Sequence, residues 1–274
     1  MKKMTLYLFS LMFCVKLIAQ TPENITAKAK YTLTHNYDTA NTSLIISENY
    51  ILLLGKNTSL YKSLDRQIQD SIMYANFKKT KSMSPPSGKR FSDEQIFFNF
   101  KQKKIFSATN SIVGKYYVER SFENIVWNIQ SETKIISNLN CQKAVGEFHG
   151  RNFTAWFCKD LPFKAGPWKL VGLPGLIIEA KDITNRIEFS LTSFESIANS
   201  SETTFFDTKF EEISWDSYVK MSKSIQDDPI GYIDKKFGLK TTLPNNSPLS
   251  HHNPLLPKKM INFPLEAVKF YTIQ

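Results

Sequence analysis

Hydrophobic and polar positions alternate with a period of two over most of this chain. Successive side chains of a β-strand point to opposite faces of the sheet, so this alternation is typical of strands with one buried face. Most runs are joined by short polar or glycine-containing links, which favours antiparallel hairpins over βαβ units. The predicted strands are 26–37, 43–54, 116–121, 126–131, 134–148, 152–158, 176–181, 186–194 and 203–212.

A helical pattern is confined to three segments. The first has Ser59 as a candidate N-cap and extends to about residue 77. Its apolar positions recur every four residues and form one stripe, at Leu60, Leu64, Ile68 and Ile72. Two shorter helices are predicted over 214–224 and 229–237, the second beginning at a proline and ending before Gly238.

These elements predict an α+β fold. We expect a curved, mainly antiparallel sheet of eight to eleven strands, forming a half-open barrel or a sandwich-like layer that the helices partly close. Two loop-like stretches, 79–91 and 241–257, do not resemble domain boundaries, because strand-like sequence flanks the first and only a short tail follows the second. Residues 20–274 are therefore predicted to form a single β-rich domain.

The first nineteen residues have the pattern of a secretory signal peptide. Lys2 and Lys3 precede an apolar run over 4–15, and Ala19 precedes a polar segment. The apolar run is too short for a membrane-spanning helix of about 20 residues. We predict export to the periplasm or outer envelope, or secretion, with cleavage after Ala19. Lipidation at Cys14 is the alternative, although Phe13 stands where a small residue is preferred.

The charge of the chain is moderately basic. Its net charge of +10 falls to +7 without residues 1–19, because 32 basic residues then remain against 25 acidic ones. Such a balance favours contact with anionic surfaces or solubility. The densest basic runs are short, so we expect no nucleic-acid partner, and no transmembrane span in the mature chain.

The segment 140–180 contains the densest set of turn signals. Gly166-Pro167 predicts a chain reversal, and Pro174-Gly175 predicts a type II turn in which Gly175 has a positive φ. Leu176 and Ile177 then re-enter the core and should be buried. The complete motif consists of Gly172, Leu173, Pro174, Gly175, Leu176 and Ile177.

This motif, with the residues that precede it, resembles the GLPGLI family of secreted or envelope proteins from Gram-negative bacteria. The resemblance also rests on Cys141–Ala144, Gly150-Arg151 with Ala155-Trp156, Leu161-Pro162, Gly166-Pro167 and the tail 262–266. It implies an exported protein with no established activity, and it assigns no catalytic residue.

No catalytic or metal site stands out from the sequence. Motifs such as HExxH, CxxC and GxSxG are absent, and His251 and His252 are neighbours that would point to opposite sides of an extended segment. Cys158 and His149 flank one hairpin too far apart for a catalytic pair. We therefore predict no catalytic residues, no metal ligands and no cofactor.

Two features of the segment 140–180 have both a structural and a functional interpretation. Arg151, Trp156 and Trp168 could line a surface for an anionic or aromatic ligand, or could serve only packing. If His149-Gly150 is a two-residue hairpin loop, Cys141 lies opposite Cys158, which predicts a disulfide. Two buried free thiols are the alternative.

Three functions remain open at this stage. The first is a non-enzymatic envelope protein that binds an apolar ligand or another envelope component. The second is a hydrolase or peptide-modifying enzyme whose site is assembled from scattered residues. The third is a structural assembly subunit.

Overall fold

The computed structural model describes residues 23–36, 45–81, 91–111, 114–120, 122–206, 209–238 and 240. The described strands are β1 (Ala27–Asn36), β2 (Ile45–Leu54), β3 (Thr58–Ser63), β4 (Glu94–Asn99), β5 (Lys104–Ser111), β6 (Gly114–Arg120), β7 (Trp127–Ile136), β8 (Leu139–Phe148), β9 (Arg151–Cys158), β10 (Leu176–Asp182), β11 (Ile187–Ser196) and β12 (Glu211–Glu212). The described helices are α1 (Leu64–Thr80), α2 (Trp215–Asp227) and α3 (Pro229–Phe237).

These twelve strands form one open sheet in the order β12-β6-β5-β4-β3-β2-β1-β11-β10-β9-β8-β7. All neighbouring pairs in this order are antiparallel except β12 and β6. The predicted mainly antiparallel sheet with a few helices is confirmed, but its twelve described strands exceed the eight to eleven expected.

The sheet must be strongly curved, because a short connector joins two strands near its opposite ends. β6 and β7 stand ten positions apart in the sheet, which is about 48 Å in a flat sheet. Only the residues between Arg120 and Trp127 connect them, and these span at most about 25 Å when fully extended. Ile125 and Phe122 of this connector pack with the larger of two apolar clusters, so that cluster occupies the concave side.

Each face of the sheet carries its own apolar cluster, because side chains alternate along the strands. On the convex face, opposed residues form a row across β2 to β5: Leu53, Leu60, Phe97 and Phe106. Phe205 and Phe206 cover this row, each packing edge-on against Phe97.

The concave side is filled by the segment between β9 and β10. Side chains of this segment are buried against both halves of the sheet, with exposures of 4% or less: Ala165, Trp168, Leu170, Val171 and Leu173. The Tyr31 hydroxyl of β1 also donates to the Ile177 carbonyl oxygen at 2.7 Å, which ties β1 to the start of β10.

The positions of α2 and α3 agree with the sequence, whereas that of α1 does not. Ser214 caps α2 as predicted, and Gly238 ends α3 with φ 65°. The first helix begins at Leu64 instead, with Ser63 as its N-cap, because 58–63 is the strand β3. The predicted stripe is not continuous either, since Leu60 is buried in β3 whereas Ile68 and Ile72 are exposed on α1.

Several predictions lie outside the described residues: the signal peptide 1–19 with Cys14, the whole loop 241–257 with its two histidines, and the tail 262–266. Among the described residues of the predicted strand 203–212, only Glu211–Glu212 form a strand, β12, and Thr203 forms an isolated bridge with Asn24. No helix in the described part of the chain is long and apolar enough to cross a membrane.

Candidate functional site

The segment 172–177 is a structural junction between the loop after β9 and the strand β10. Leu176 and Ile177 are fully buried, as predicted. The predicted positive φ of Gly175 is wrong, and Gly172 has a positive φ of 100° instead. Gly175 is required for a different reason, because a Cβ there would lie 2.2 Å from the Cys158 carbonyl oxygen.

The three residues considered as a ligand surface do not converge. Arg151 and Trp156 point to opposite faces of β9, since five positions separate them on a regular strand. Trp168 is buried and packs edge-on against Phe148, with ring centroids 5.4 Å apart. Burial lowers the pKa of the Arg151 guanidinium, although Asp182 opposes this effect. Packing is therefore the role that these contacts support.

The register predicted for the two cysteines is confirmed. His149 and Gly150 both have positive φ, as a type I′ hairpin turn requires, and Cys141 lies directly opposite Cys158. Both thiols are buried and free in this structure. Burial, and then the neighbouring Cys158, raise the pKa of Cys141 to about 11.

A polar cleft of about 380 Å³ lies between α1 and the ends of three strands. Its floor consists of Lys62, Gln95 and Asn110, which come from β3, β4 and β5 on the convex face. One face of α1 forms a wall, and residues 92–94 form the facing wall. The N-cap and the α1 residues that line it recur at helical spacing: Ser63, Arg66, Gln67, Asp70, Ser71 and Tyr74.

Local hydrogen bonds hold these walls in place. The Arg66 guanidinium donates through Nε to Asp70 Oδ1 at 2.9 Å, one turn further along α1. The Ser92 backbone N–H donates to Glu48 Oε1 at 2.9 Å, and the Glu94 N–H donates to Ser92 Oγ at 3.3 Å. Glu48 lies outside the cleft and fixes the Ser92 backbone, whereas the other two bonds join residues of the cleft lining to each other.

Two ionisable groups of the cleft have shifted pKa values. Burial raises the pKa of Asp93, and Arg66 opposes this rise while Glu94 and Asp70 add to it. Burial also lowers the pKa of Lys62. Asp93 therefore keeps its proton to higher pH than an ordinary aspartate, which makes it a hydrogen-bond donor over a wider pH range.

The cleft could not be recognised from the sequence, because its residues come from four separate elements with no motif spacing. The acidic pair Asp93-Glu94 beside a proline-rich stretch was the one local signal. Two other acidic pairs, Glu211-Glu212 and Asp227-Asp228, are exposed in the structure. In the described part of the chain, no group of three or more His, Cys, Asp or Glu residues could hold a metal ion.

Comparisons with known proteins place the chain among β-rich proteins. A family model described as "Protein of unknown function (Porph_ging)" matches residues 147–179, which include the motif 172–177. No curated protein matches the chain.

Two solved structures, titled "Structure of PNGF-II in P21 space group" and "Structure of PNGF-II in C2 space group", resemble it with TM-scores of 0.52 and 0.53. Both are 17% identical to it, and each match covers 74% of this chain. The chain spans about a third of the length of PNGF-II, 34% and 33% in the two structures. At this identity the likeness concerns the fold alone.

Proposed function

We propose that this chain is a non-enzymatic binding protein of the bacterial envelope, whose polar cleft beside α1 holds a small saccharide. The observation that carries this proposal is the cleft itself. Its volume lies in the range of about 300–1,000 Å³ that is typical of small-molecule sites. Amides, hydroxyls and both signs of charge offer the many donors and acceptors that a polyhydroxylated ligand needs, and Tyr74 adds a ring at the lip.

The concave side supports an apolar ligand less well. Its described surface is filled by the segment before β10, and a cavity there, lined by Leu33, Tyr61 and Phe189 among others, measures about 20 Å³. That volume accommodates about one water molecule. An acyl chain in this place would require the segment to move out.

The envelope part of the proposal rests on residues 1–19 and on the motif. We propose that the match at 147–179 and the GLPGLI resemblance mark the same group of exported proteins. N-terminal sequencing of the protein from envelope fractions should give Gln20 as the first residue. A chain that still carries residues 1–19 there would contradict cleavage.

Calorimetric titration with neutral mono- and disaccharides tests the ligand. We expect Gln67→Leu to weaken binding about tenfold or more, since it removes a donor and an acceptor from the cleft. Gln69→Leu, two positions along on another face of α1, is the matched control and should bind normally. If no saccharide binds, and none is found by native mass spectrometry of protein purified from its own envelope, the proposal fails.

A hydrolase is the second candidate, and the raised pKa of Asp93 favours it. A carboxyl group that keeps its proton to higher pH, next to the carboxyl groups of Asp70 and Glu94, resembles the acid member of the carboxyl pair that glycoside hydrolysis uses. Incubation of the protein with a saccharide that binds decides between the two. Turnover that Asp93→Asn abolishes while binding persists would establish the enzyme, whereas unchanged saccharide supports the binding protein.

A further inference from the structure

Helix α1 has its apolar stripe on the outside of the molecule. The face towards the cleft is polar, whereas the opposite face carries Ile68 and Ile72, which are 50% and 56% exposed. A helix on the surface of a globular protein normally shows the reverse arrangement. None of the α1 residues is buried.

The C-terminal half of α1 has little support from the rest of the described structure. Every residue from Tyr74 to Lys81 is exposed. Most of the stability of a helix in a protein comes from packing of an apolar face against a neighbour. The outward stripe is the face of α1 that remains available for such packing.

The stripe has the spacing of a helix-pairing seam. The apolar residues Ile68, Ile72 and Ala75 form its centre, and one charged residue lies at each end. The five positions alternate steps of three and four residues, which keeps them in line along one side of a helix: Asp65, Ile68, Ile72, Ala75 and Lys79. An acidic residue stands in the first turn, and Lys79 stands in the last turn. The stripe is thus complementary to a second copy of itself that runs in the opposite direction.

We propose that two copies of this chain associate through the α1 stripe, with the two helices antiparallel about a two-fold axis at Ile72. In this arrangement Ile72 faces Ile72 of the partner subunit, and Asp65 faces the partner's Lys79. The antiparallel alignment also places opposite ends of the two helix dipoles together. Such an isologous interface is the commonest form of protein dimer.

Asp65 can take part without losing its present contacts. Its carboxylate accepts from the Asn49 backbone N–H at 2.8 Å and from the Asn49 side chain at 3.1 Å. Two carboxylate oxygens offer about four acceptor positions, so a lysine from the partner can be added. The Asn49 contacts also fix the position of the first turn of α1 against β2.

The mass of the purified chain, measured by sedimentation equilibrium over a concentration series, tests the proposal. We expect a dimer whose dissociation constant rises about tenfold or more in Ile72→Glu, because two like charges then meet on the axis. Ile183→Glu is the matched control: Ile183 is 66% exposed in the turn between β10 and β11, and this variant should dimerise normally. A monomeric chain at all concentrations, or an Ile72→Glu variant that dimerises like the original, overturns the proposal.

Cysteine cross-linking tests the register. Under mild oxidation Ile72→Cys should give a covalent dimer, because a residue on a two-fold axis faces its own copy, whereas Ile183→Cys should not. A monomer in which the thiol of Ile72→Cys reacts slowly with a soluble alkylating reagent would mean that other residues of the same chain cover the stripe. That outcome also overturns the proposal.

Discussion

At the scale of single residues, Gly175 and Gly238 show two different reasons for glycine. A Cβ at Gly175 would overlap the Cys158 carbonyl oxygen, and nothing nearby can yield except backbone. Gly238 has φ 65° and nothing within 4 Å of its would-be Cβ, so only its backbone conformation favours glycine.

These two sites give a matched pair of substitutions. We expect Gly175→Ala to lower the free energy of unfolding by about 3 kcal/mol, as forced overpacking of a dense core does. Gly238→Ala should cost about 1 kcal/mol. Urea unfolding of both variants provides the measurement. Equal, small losses would mean that the loop after β9 shifts to accept the methyl group.

Asp93 makes the free energy of unfolding depend on pH. Its pKa is raised by burial, so the folded state holds the proton more tightly than the unfolded chain does. This tighter proton binding stabilises the folded state fully below the ordinary aspartate pKa of 3.8. The stabilisation is lost as the pH rises through the raised pKa of Asp93 in the folded state.

Asp93→Asn removes the loss of stability that deprotonation of Asp93 causes, because asparagine carries no proton to release. We expect the variant to unfold at a slightly higher temperature than the original chain at neutral pH, and the difference to vanish as the pH falls below about 3.8. Thermal unfolding over a pH series measures it. Asp160→Asn, which changes an exposed carboxylate, corrects for the general loss of one negative charge. A difference that grows towards low pH would contradict the raised pKa.

At the scale of elements, the sequence located several strands closely. β1, β2 and β9 to β11 fall within a few residues of their predicted bounds, and buried and more exposed positions alternate clearly in β1 and β9. β4 was missed, since Ile96, Phe97 and Phe98 are buried on both faces of the sheet and leave no alternation. The four-residue recurrence of Leu60, Leu64 and Ile68 spans β3 and α1, so it resembled a single helix.

The β8–β9 hairpin carries a prediction about its two cysteines. Phe148 and Arg151 flank the turn and form a hydrogen-bonded pair. Hydrogen-bonded and non-hydrogen-bonded pairs alternate along an antiparallel ladder, so Cys141 and Cys158 form a non-hydrogen-bonded pair. Such pairs bring the Cα atoms to about 4.5 Å, which a disulfide can bridge. In an oxidising compartment we expect the bond to form and to add about 3 kcal/mol.

Titration of the denatured, unreduced protein with a thiol reagent tests this bond, and no free thiol is the expected result. Reductant should then lower the urea midpoint of the original chain but leave that of a Cys141→Ala, Cys158→Ala double variant unchanged. Two free thiols in protein taken from the envelope would exclude the disulfide and leave a pair of buried thiols with a packing role.

At the scale of the whole molecule, long-range pairing decides what the sequence leaves open. Alternation predicts strands but does not say that β1 joins β2 to β11, or that β7 and β12 lie at the two ends. The cleft depends on the same pairing, since it brings Lys62, Gln95 and Asn110 onto one floor. Its chemistry could therefore not be predicted from spacing along the chain.

The filled concave side leads to the last prediction. Trp168 lies between the two halves of the curved sheet, with its ring stacked 6.4 Å from Phe189 and edge-on to Phe148. Trp168→Ala should cost about 3–5 kcal/mol, because the surrounding rings belong to different strands and cannot all collapse into the gap. Trp215→Ala is the control: Trp215 is 38% exposed and contacts Arg120 at 3.9 Å, so its loss should cost about 1 kcal/mol or less.

The same variant distinguishes a packed interior from a site for acyl chains. If the segment before β10 is a permanent part of the core, the original chain should not bind a fluorescent fatty acid, and Trp168→Ala should bind a small apolar probe in the space that the indole leaves. Fluorescence titration of both proteins under native conditions measures this. Tight fatty-acid binding by the original chain would mean that the segment moves out to admit a ligand, and would favour an apolar-ligand carrier over a saccharide-binding protein.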